Sequence, residues 1–179
     1  MLWRRLDAPG HDACRLENSM FSRELDGTAV FRHSRGAAYL SYRVLCDAEW
    51  RTKRGHIRGW IGSDSIKVDI VRLDIGSWAL NGAIVAGLDH CDDLDLGFTP
   101  ATNLIPVKRL SLNVGDAVDV TSAWFDIDTA SLTVLSQRYE RRAATAYFYE
   151  APSFGYAGLV EVDETGFART YPDLWEAER

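Results

Sequence analysis

Residues 92–110, DDLDLGFTPATNLIPVKRL, combine carboxylates, hydroxyls, an amide and two basic side chains in one short stretch. If 91–96 is a strand, Asp93 and Asp95 share one face and lie roughly 7 Å apart, given a rise of ~3.3 Å per residue. Two carboxylates at such a spacing could supply the acid and the base or nucleophile of glycoside hydrolysis. One hypothesis is therefore a hydrolase of a sugar or ester substrate that uses Asp93 and Asp95.

The same carboxylates could instead have a structural role. They could cap backbone amides of the following turn, or pair with Lys108 and Arg109 further along the chain. In that case the stretch would be a strand end, a tight turn and a strand start that together close the fold. A structural or partner-binding protein is the alternative that this interpretation favours.

Helix signals are few and short. Thr99-Pro100 resembles a helix N-cap followed by the preferred first helical residue. Pro106 disfavours helix at Ile105, so the pattern predicts that this element ends there after one or two turns. A second helical turn is predicted at 173–178, near the end of the chain.

Metal sites do not fit the acidic cluster. A calcium loop that begins at Asp93 needs an acidic residue at its twelfth position, and that position is Leu104. His90, Cys91 and Asp93 include ligand types for a transition metal, but neighbouring residues of a strand point in opposite directions. We predict no metal and no cofactor.

A thiol nucleophile is also disfavoured. Cys14 follows His11 closely, but a catalytic pair meets in space and seldom lies three residues apart on an extended segment. We expect a turn after Pro9-Gly10 and a buried Cys14. The sequence contains no nucleophile-elbow, phosphate-loop or dinucleotide-binding glycine motif. These observations favour a protein without catalytic activity.

The elements that must position these residues are predicted to be strands. In 38–46, residues alternate so that one face carries an apolar set, namely Leu40, Tyr42, Val44 and Cys46. Asn81-Gly82 lies between two short apolar runs and predicts a tight hairpin. Further turns are predicted at Asp26-Gly27, Gly115-Asp116 and Thr165-Gly166. Turn signals at this spacing indicate a mainly all-β chain, which we predict to be a single domain over 1–179.

Composition limits the class of partner and the location. The 179 residues are 46% hydrophobic and 26% charged, with a net charge of −6. A negative charge does not attract phosphate backbones, so we expect no nucleic-acid partner. No secretory signal or apolar run of ~20 residues is visible, so no transmembrane segment is predicted. The three cysteines are predicted to be reduced thiols in a cytoplasmic protein.

Five stretches resemble a bacterial family described as putative glycolipid-binding proteins, formerly a domain of unknown function. They are WRRLDAPGHDACRL (3–16), CDAEWRT (46–52), DLDLGFTPATNLIPVKRL (93–110), LSQRYER (135–141) and YPDLWEAE (171–178). The resemblance runs from Trp3 to Glu178. It implies a many-stranded, largely antiparallel sheet coiled into a spiral β-roll, with one short helix packed on it.

The resemblance also implies a non-catalytic binding protein for a lipid, glycolipid or similar amphipathic ligand. Aromatic walls with a few polar groups at the mouth suit such a ligand. The candidate wall residues are Trp50, Tyr147 and Tyr149. The candidate polar contacts at the mouth are Asp93, Asp95, Thr99, Thr102, Asn103 and Arg109.

Overall fold

The computed structural model describes residues 1–178 and places fifteen strands in one sheet. The strands are β1 (Leu2–Arg5), β2 (Gly10–Asn18), β3 (Ser22–His33), β4 (Gly36–Asp47), β5 (Thr52–Ile61), β6 (Asp64–Arg72), β7 (Trp78–Leu80), β8 (Ala83–Val85), β9 (Asp93–Leu96), β10 (Ala117–Asp126), β11 (Ser131–Ala143), β12 (Ala146–Ala151), β13 (Tyr156–Val162), β14 (Ala168–Tyr171) and β15 (Trp175–Ala177). The helical segments are two 3₁₀ turns (Ala101–Asn103 and Pro152–Phe154) and one α-helix, α1 (Leu104–Leu110).

The sheet consists of two runs of strands that meet at the chain termini. Its order runs from β8 down to β1, then through β15 back to β9. Strand β1 pairs with both β2 and β15, so it joins the two runs. Only the β9–β10 pair is parallel among the described strands. The prediction of a many-stranded, largely antiparallel sheet is therefore confirmed.

The sheet coils back on itself, so that its edge strand β9 lies against β5. The Leu94 amide donates a hydrogen bond to Thr52 Oγ1 at 3.0 Å, and the Thr52 amide donates to the Asp92 carbonyl at 3.0 Å. Gly55 on β5 has no side chain, and the Leu94 side chain fills the space that a Cβ would need. This close approach brings β9 and the helix that follows it into the interior of the roll.

The helix differs from the prediction at its end. Pro106 does not end it, because α1 runs to Leu110 and Pro106 is its third residue. A proline is tolerated there, since the first N–H groups of a helix have no intrahelical acceptor. Leu104 and Ile105 are buried against the core, and two basic residues occupy the last turn, where they suit the helix dipole.

Most of the predicted turns are confirmed. Asn81 and Gly82 both have positive φ, 50° and 85°, and connect β7 to β8 as a two-residue hairpin loop. The prediction at Asp26-Gly27 was wrong, because both residues lie inside β3, and so was the turn after Pro9-Gly10, because Gly10 begins strand β2. Gly27 is needed for packing instead, since the Tyr42 ring occupies the position that a Cβ would take.

The C-terminal segment also differs from the prediction. Residues 173–178 do not form a helical turn, because Trp175–Ala177 is strand β15 and pairs with β1 and β14. Its position in the sheet provides hydrogen-bond partners that a single helical turn would lack.

The core follows the predicted alternation. All four residues of the predicted apolar face of β4 are buried, namely Leu40, Tyr42, Val44 and Cys46. The three cysteines are free and buried, and burial raises the pKa of each thiol, to about 12 for Cys14. Thiols in this environment are poor nucleophiles. Among the described residues, no helix combines the length and apolar character required to cross a membrane.

Candidate ligand-binding cavity

A cavity of about 310 Å³ opens between the β9–α1 connection and strands β10 to β15. It is lined by Asp95, Gly97, Thr99, Asn103, Trp124, Leu135, Tyr149, Ala151, Phe154, Tyr156, Tyr171, Leu174 and Trp175. Gly97 and Phe154 are exposed, whereas Tyr149, Leu135 and Ala151 are buried. Six of the lining residues are aromatic, whereas a groove of about 780 Å³ along the sheet is lined mainly by polar side chains.

The aromatic rings pack against one another at steep angles. Tyr149 and Tyr156 each meet Tyr171, with ring centroids 5.7 and 5.3 Å apart and interplanar angles of 82° and 67°. Trp124 meets Phe154 at 5.0 Å and 63°. Edge-to-face contacts of this kind stabilise the wall and orient the ring faces in different directions.

Asp95 is the only acidic side chain among the described lining residues. Its Oδ2 accepts a hydrogen bond of 2.7 Å from Gln137 Nε2, and that same nitrogen donates to the Tyr149 hydroxyl at 2.9 Å. Gln137 is oriented in turn by Ser122, whose hydroxyl donates to its Oε1 at 2.8 Å. Burial raises the pKa of Asp95 to about 6, against the opposing effect of the Gln137 hydrogen bond.

A second polar network lies behind Thr99. The fully buried Asp12 of β2 accepts hydrogen bonds from the Tyr42 hydroxyl, at 3.0 and 3.1 Å, and from the Thr99 hydroxyl. Thr99 Oγ1 also accepts a hydrogen bond of 3.0 Å from the amide of Ala101, the first residue of the 3₁₀ turn. Burial raises the pKa of Asp12 to about 7. This network ties the cavity wall to strands β2 and β4.

Asn103 closes the side of the cavity next to the helix. Its Nδ2 donates to the Tyr139 hydroxyl at 3.2 Å, and both residues are buried. Thr102, one residue earlier, accepts the Leu96 amide at 3.2 Å. These bonds fix the 3₁₀ turn over the end of β9, so the polar groups at this wall are held in place by the fold.

Asp93 and Arg109 form a separate ion pair. Arg109 Nε and Nη2 each lie 2.7 Å from an Asp93 oxygen, in a bidentate arrangement. The Asp93 side chain is 1% exposed and that of Arg109 is 16% exposed. Burial raises the pKa of Asp93, and the Arg109 guanidinium opposes that change. The pair joins the start of β9 to the last turn of α1.

The predicted ligand contacts occupy different places. Four line the cavity, namely Asp95, Thr99, Asn103 and Tyr149. Asp93, Arg109 and Thr102 lie behind its wall in the contacts described above.

Two of the predicted wall residues lie elsewhere. Trp50 lies in the β4–β5 turn, where the Arg23 guanidinium is 6.0 Å from its ring. Tyr147 is on β12 beside Arg141, at 5.6 Å, and does not line the cavity.

Several lining residues were not predicted from the sequence. They are Trp124, Phe154, Tyr156, Tyr171 and Trp175, and each follows Asp95 by 29 residues or more in the chain. The signal that could have found Tyr171 and Trp175 is the stretch 171–178, but the prediction for 173–178 is a helical turn and not a strand. Asp12 could not be identified as a buried acid without the position of Tyr42.

The carboxylates do not cap the turn after β9. Two threonines bond the backbone on either side of that turn instead, because Thr102 accepts the Leu96 amide and Thr99 accepts the Ala101 amide. Of the predicted structural contacts, pairing with Arg109 is made by Asp93.

Comparison with known proteins identifies a family and a structural relative. A family model described as "Putative glycolipid-binding" matches residues 1–177. The crystal structure of a DUF1089 family protein from Pseudomonas aeruginosa has a TM-score of 0.82 at 23% identity, over 93% of this chain and 92% of that one. At this identity the likeness shows the fold. No curated protein matches the chain. With a match over nearly its whole length, the chain belongs to the putative glycolipid-binding family.

Proposed function

We propose that this protein is a non-catalytic binding protein for a lipid, glycolipid or similar amphipathic ligand, and that the aromatic cavity holds part of that ligand. The observation that carries the proposal is a cavity with six aromatic rings and three polar groups, Asp95, Thr99 and Asn103. Apolar walls with a few fixed polar groups are typical of small-molecule sites. The family description is consistent with such a ligand.

The size of the cavity indicates how much of the ligand enters it. A volume of about 310 Å³ is at the lower end of the ~300–1,000 Å³ common for ligand sites. It suits one ring or one head group better than a whole glycolipid. Phe154 is 54% exposed at the opening, so a chain leaving the cavity would find an apolar contact there.

The arrangement of carboxylates favours binding over hydrolysis. Glycoside hydrolysis commonly needs two carboxylates that flank the scissile bond. Asp95 faces the cavity, but Asp93 is buried in its ion pair with Arg109. The two residues predicted to act together are therefore not both presented to a ligand.

Filling the cavity is expected to weaken ligand binding. Ala151 is buried and lines the cavity, so Ala151→Phe places a ring in the ligand's space. We expect this variant to bind octyl glucoside at least about tenfold more weakly than the wild type in isothermal titration below the micelle concentration. The control is Ala157→Phe on the exposed face of β13, which should bind as the wild type does. Equal affinity in the wild type and Ala151→Phe would place the binding site elsewhere.

A further inference from the structure

The charges around the cavity point to the chemical class of the head group that it takes. We propose that the cavity selects a cationic head group, an amine or an alkylated ammonium, over neutral and anionic ones. This inference rests on the proposed function, because it assigns the ligand of the same cavity. Three observations support it: the charge at the wall is negative, no cation of the described chain neutralises it, and aromatic rings line the same cavity.

The fixed charge at the cavity is negative. Asp95 lines it, and within residues 1–178 no lysine, arginine or histidine does. Burial raises the pKa of Tyr156, and the negative charge of Asp173, which is next to the lining residue Leu174, adds to that increase. Arg5 packs against Trp175, at 5.5 Å from its ring, but it does not line the cavity and pairs with Asp7 at 2.6 Å. A phosphate or sulfate head group would meet repulsion and no basic partner here.

The charge of Asp95 is stabilised by neutral donors only. Among the described residues its hydrogen-bond donor is the Gln137 amide, and the nearby Thr102 hydroxyl, which also lowers its pKa, is uncharged. Asp93, by contrast, has the Arg109 guanidinium in bidentate contact. A carboxylate in a mostly apolar cavity without a cation has a large unfavourable desolvation energy, and a bound cation would offset it. A cationic ligand would therefore supply the positive charge that the cavity wall lacks.

The aromatic rings suit the same ligand. A cation within about 6 Å of a tryptophan or tyrosine ring face is attracted by the negative face of the π-system, and aromatic cages of this kind recognise quaternary ammonium groups. Trp124, Tyr156, Tyr171 and Trp175 all line the cavity, and the tyrosine rings stand at 67° to each other. Rings at different angles surround a compact cation better than a flat stack would.

The ionisation of Asp95 sets the pH range of this preference. The titratable groups that face it are Asp93 on its own strand and three tyrosines from β11, β12 and β14. Asp93 is paired with Arg109, and burial raises the pKa of Tyr139, Tyr149 and Tyr171, so the tyrosines remain neutral. With a pKa of about 6, Asp95 is ionised at neutral pH and protonated in acid. Cation binding should therefore weaken as the pH falls through this value.

The test compares three probes with the same ten-carbon chain: decyltrimethylammonium, decyl glucoside and decyl sulfate. At about pH 8 the wild type is expected to bind the cation about tenfold or more tightly than the glucoside, and the sulfate most weakly. In Asp95→Asn the ratio of cation to glucoside affinity should fall by about tenfold. When the pH is lowered from about 8 to about 5, the ratio of cation to glucoside affinity should decrease in the wild type. In Asp95→Asn that ratio should stay constant.

The outcomes separate this inference from the proposed function. Binding of the glucoside with no preference for the cation would overturn the inference and leave the proposed function standing. A cation preference that survives in Asp95→Asn would overturn the assignment to this carboxylate. Failure of all three probes to bind would overturn both. An Asp119→Asn variant, changed at an 81% exposed carboxylate, controls for general electrostatic attraction and should keep the wild-type ratio.

Discussion

Replacing Arg109 with methionine is expected to lower the free energy of unfolding by about 3–5 kcal/mol, because it leaves the buried Asp93 carboxylate without its partner. The two nitrogens of Arg109 that contact Asp93 lie 2.7 Å from its oxygens, and Asp93 is 1% exposed. Methionine retains much of the aliphatic volume of arginine. The loss of stability therefore results from the unpaired charge of Asp93 and not from a cavity. Chemical denaturation at about pH 7 measures it.

The pH dependence of the Arg109→Met defect distinguishes a stranded charge from lost packing. Without the guanidinium, Asp93 can remain buried by taking up a proton, which becomes less favourable as the pH rises above its unfolded pKa. The defect should therefore be smaller at about pH 4 than at about pH 7. Arg138→Met is the control, since that side chain is 42% exposed beside Asp119 and should cost less than about 1 kcal/mol. A defect of the control's size in Arg109→Met would show that the ion pair does not hold β9 to the helix.

The second large effect is the contribution of Asp12 to the pH dependence of stability. Burial raises the pKa of Asp12 to about 7 in the folded protein, although hydrogen bonds from Thr99 and Tyr42 oppose the increase. An acid with a higher pKa in the folded state stabilises that state at low pH, and this contribution is lost as the pH rises from about 4 to about 7. The difference from the ordinary value of 3.8 corresponds to roughly 4 kcal/mol.

The comparison of Asp12→Asn with the wild type isolates this contribution. Asparagine keeps an oxygen that can accept from Tyr42 or Thr99, but it cannot ionise. Between about pH 4 and pH 8, the free energy of unfolding should decrease less in Asp12→Asn than in the wild type. The two decreases should differ by up to about 4 kcal/mol. Asp119→Asn should leave the wild-type slope unchanged. Parallel curves for the wild type and Asp12→Asn would mean that Asp12 does not change its protonation on folding in this range.

The local features of the fold could be predicted because they depend on neighbouring residues. The alternation in β4 and the Asn81-Gly82 hairpin follow from side-chain period and turn conformation. The turn predicted at Gly27 is wrong because the glycine serves packing: the Tyr42 ring on the adjacent strand occupies the position that a Cβ would take. The helix end predicted at Pro106 is wrong because the residues before it, Ala101–Asn103, form a 3₁₀ turn. The α-helix therefore begins only at Leu104, and Pro106 lies in its first turn.

The candidate site could be predicted only in part for the same reason. Asp95, Thr99 and Asn103 lie in one short stretch, so their association was visible in the sequence. Trp124 joins them through the parallel pairing of β9 with β10, and Trp175 through the order of strands in the coiled sheet. Such contacts depend on strand order, which hydrophobic periodicity does not specify.

Native mass spectrometry of protein purified without detergent from a bacterial host tests most directly whether this cavity binds an amphipathic ligand. We expect the wild type and Ala157→Phe to retain one bound small molecule that is extracted into organic solvent. We expect Ala151→Phe, with its cavity filled, to show the mass of the protein alone. Wild-type protein with no bound mass, or a ligand that persists in Ala151→Phe, would contradict the proposed role of the cavity.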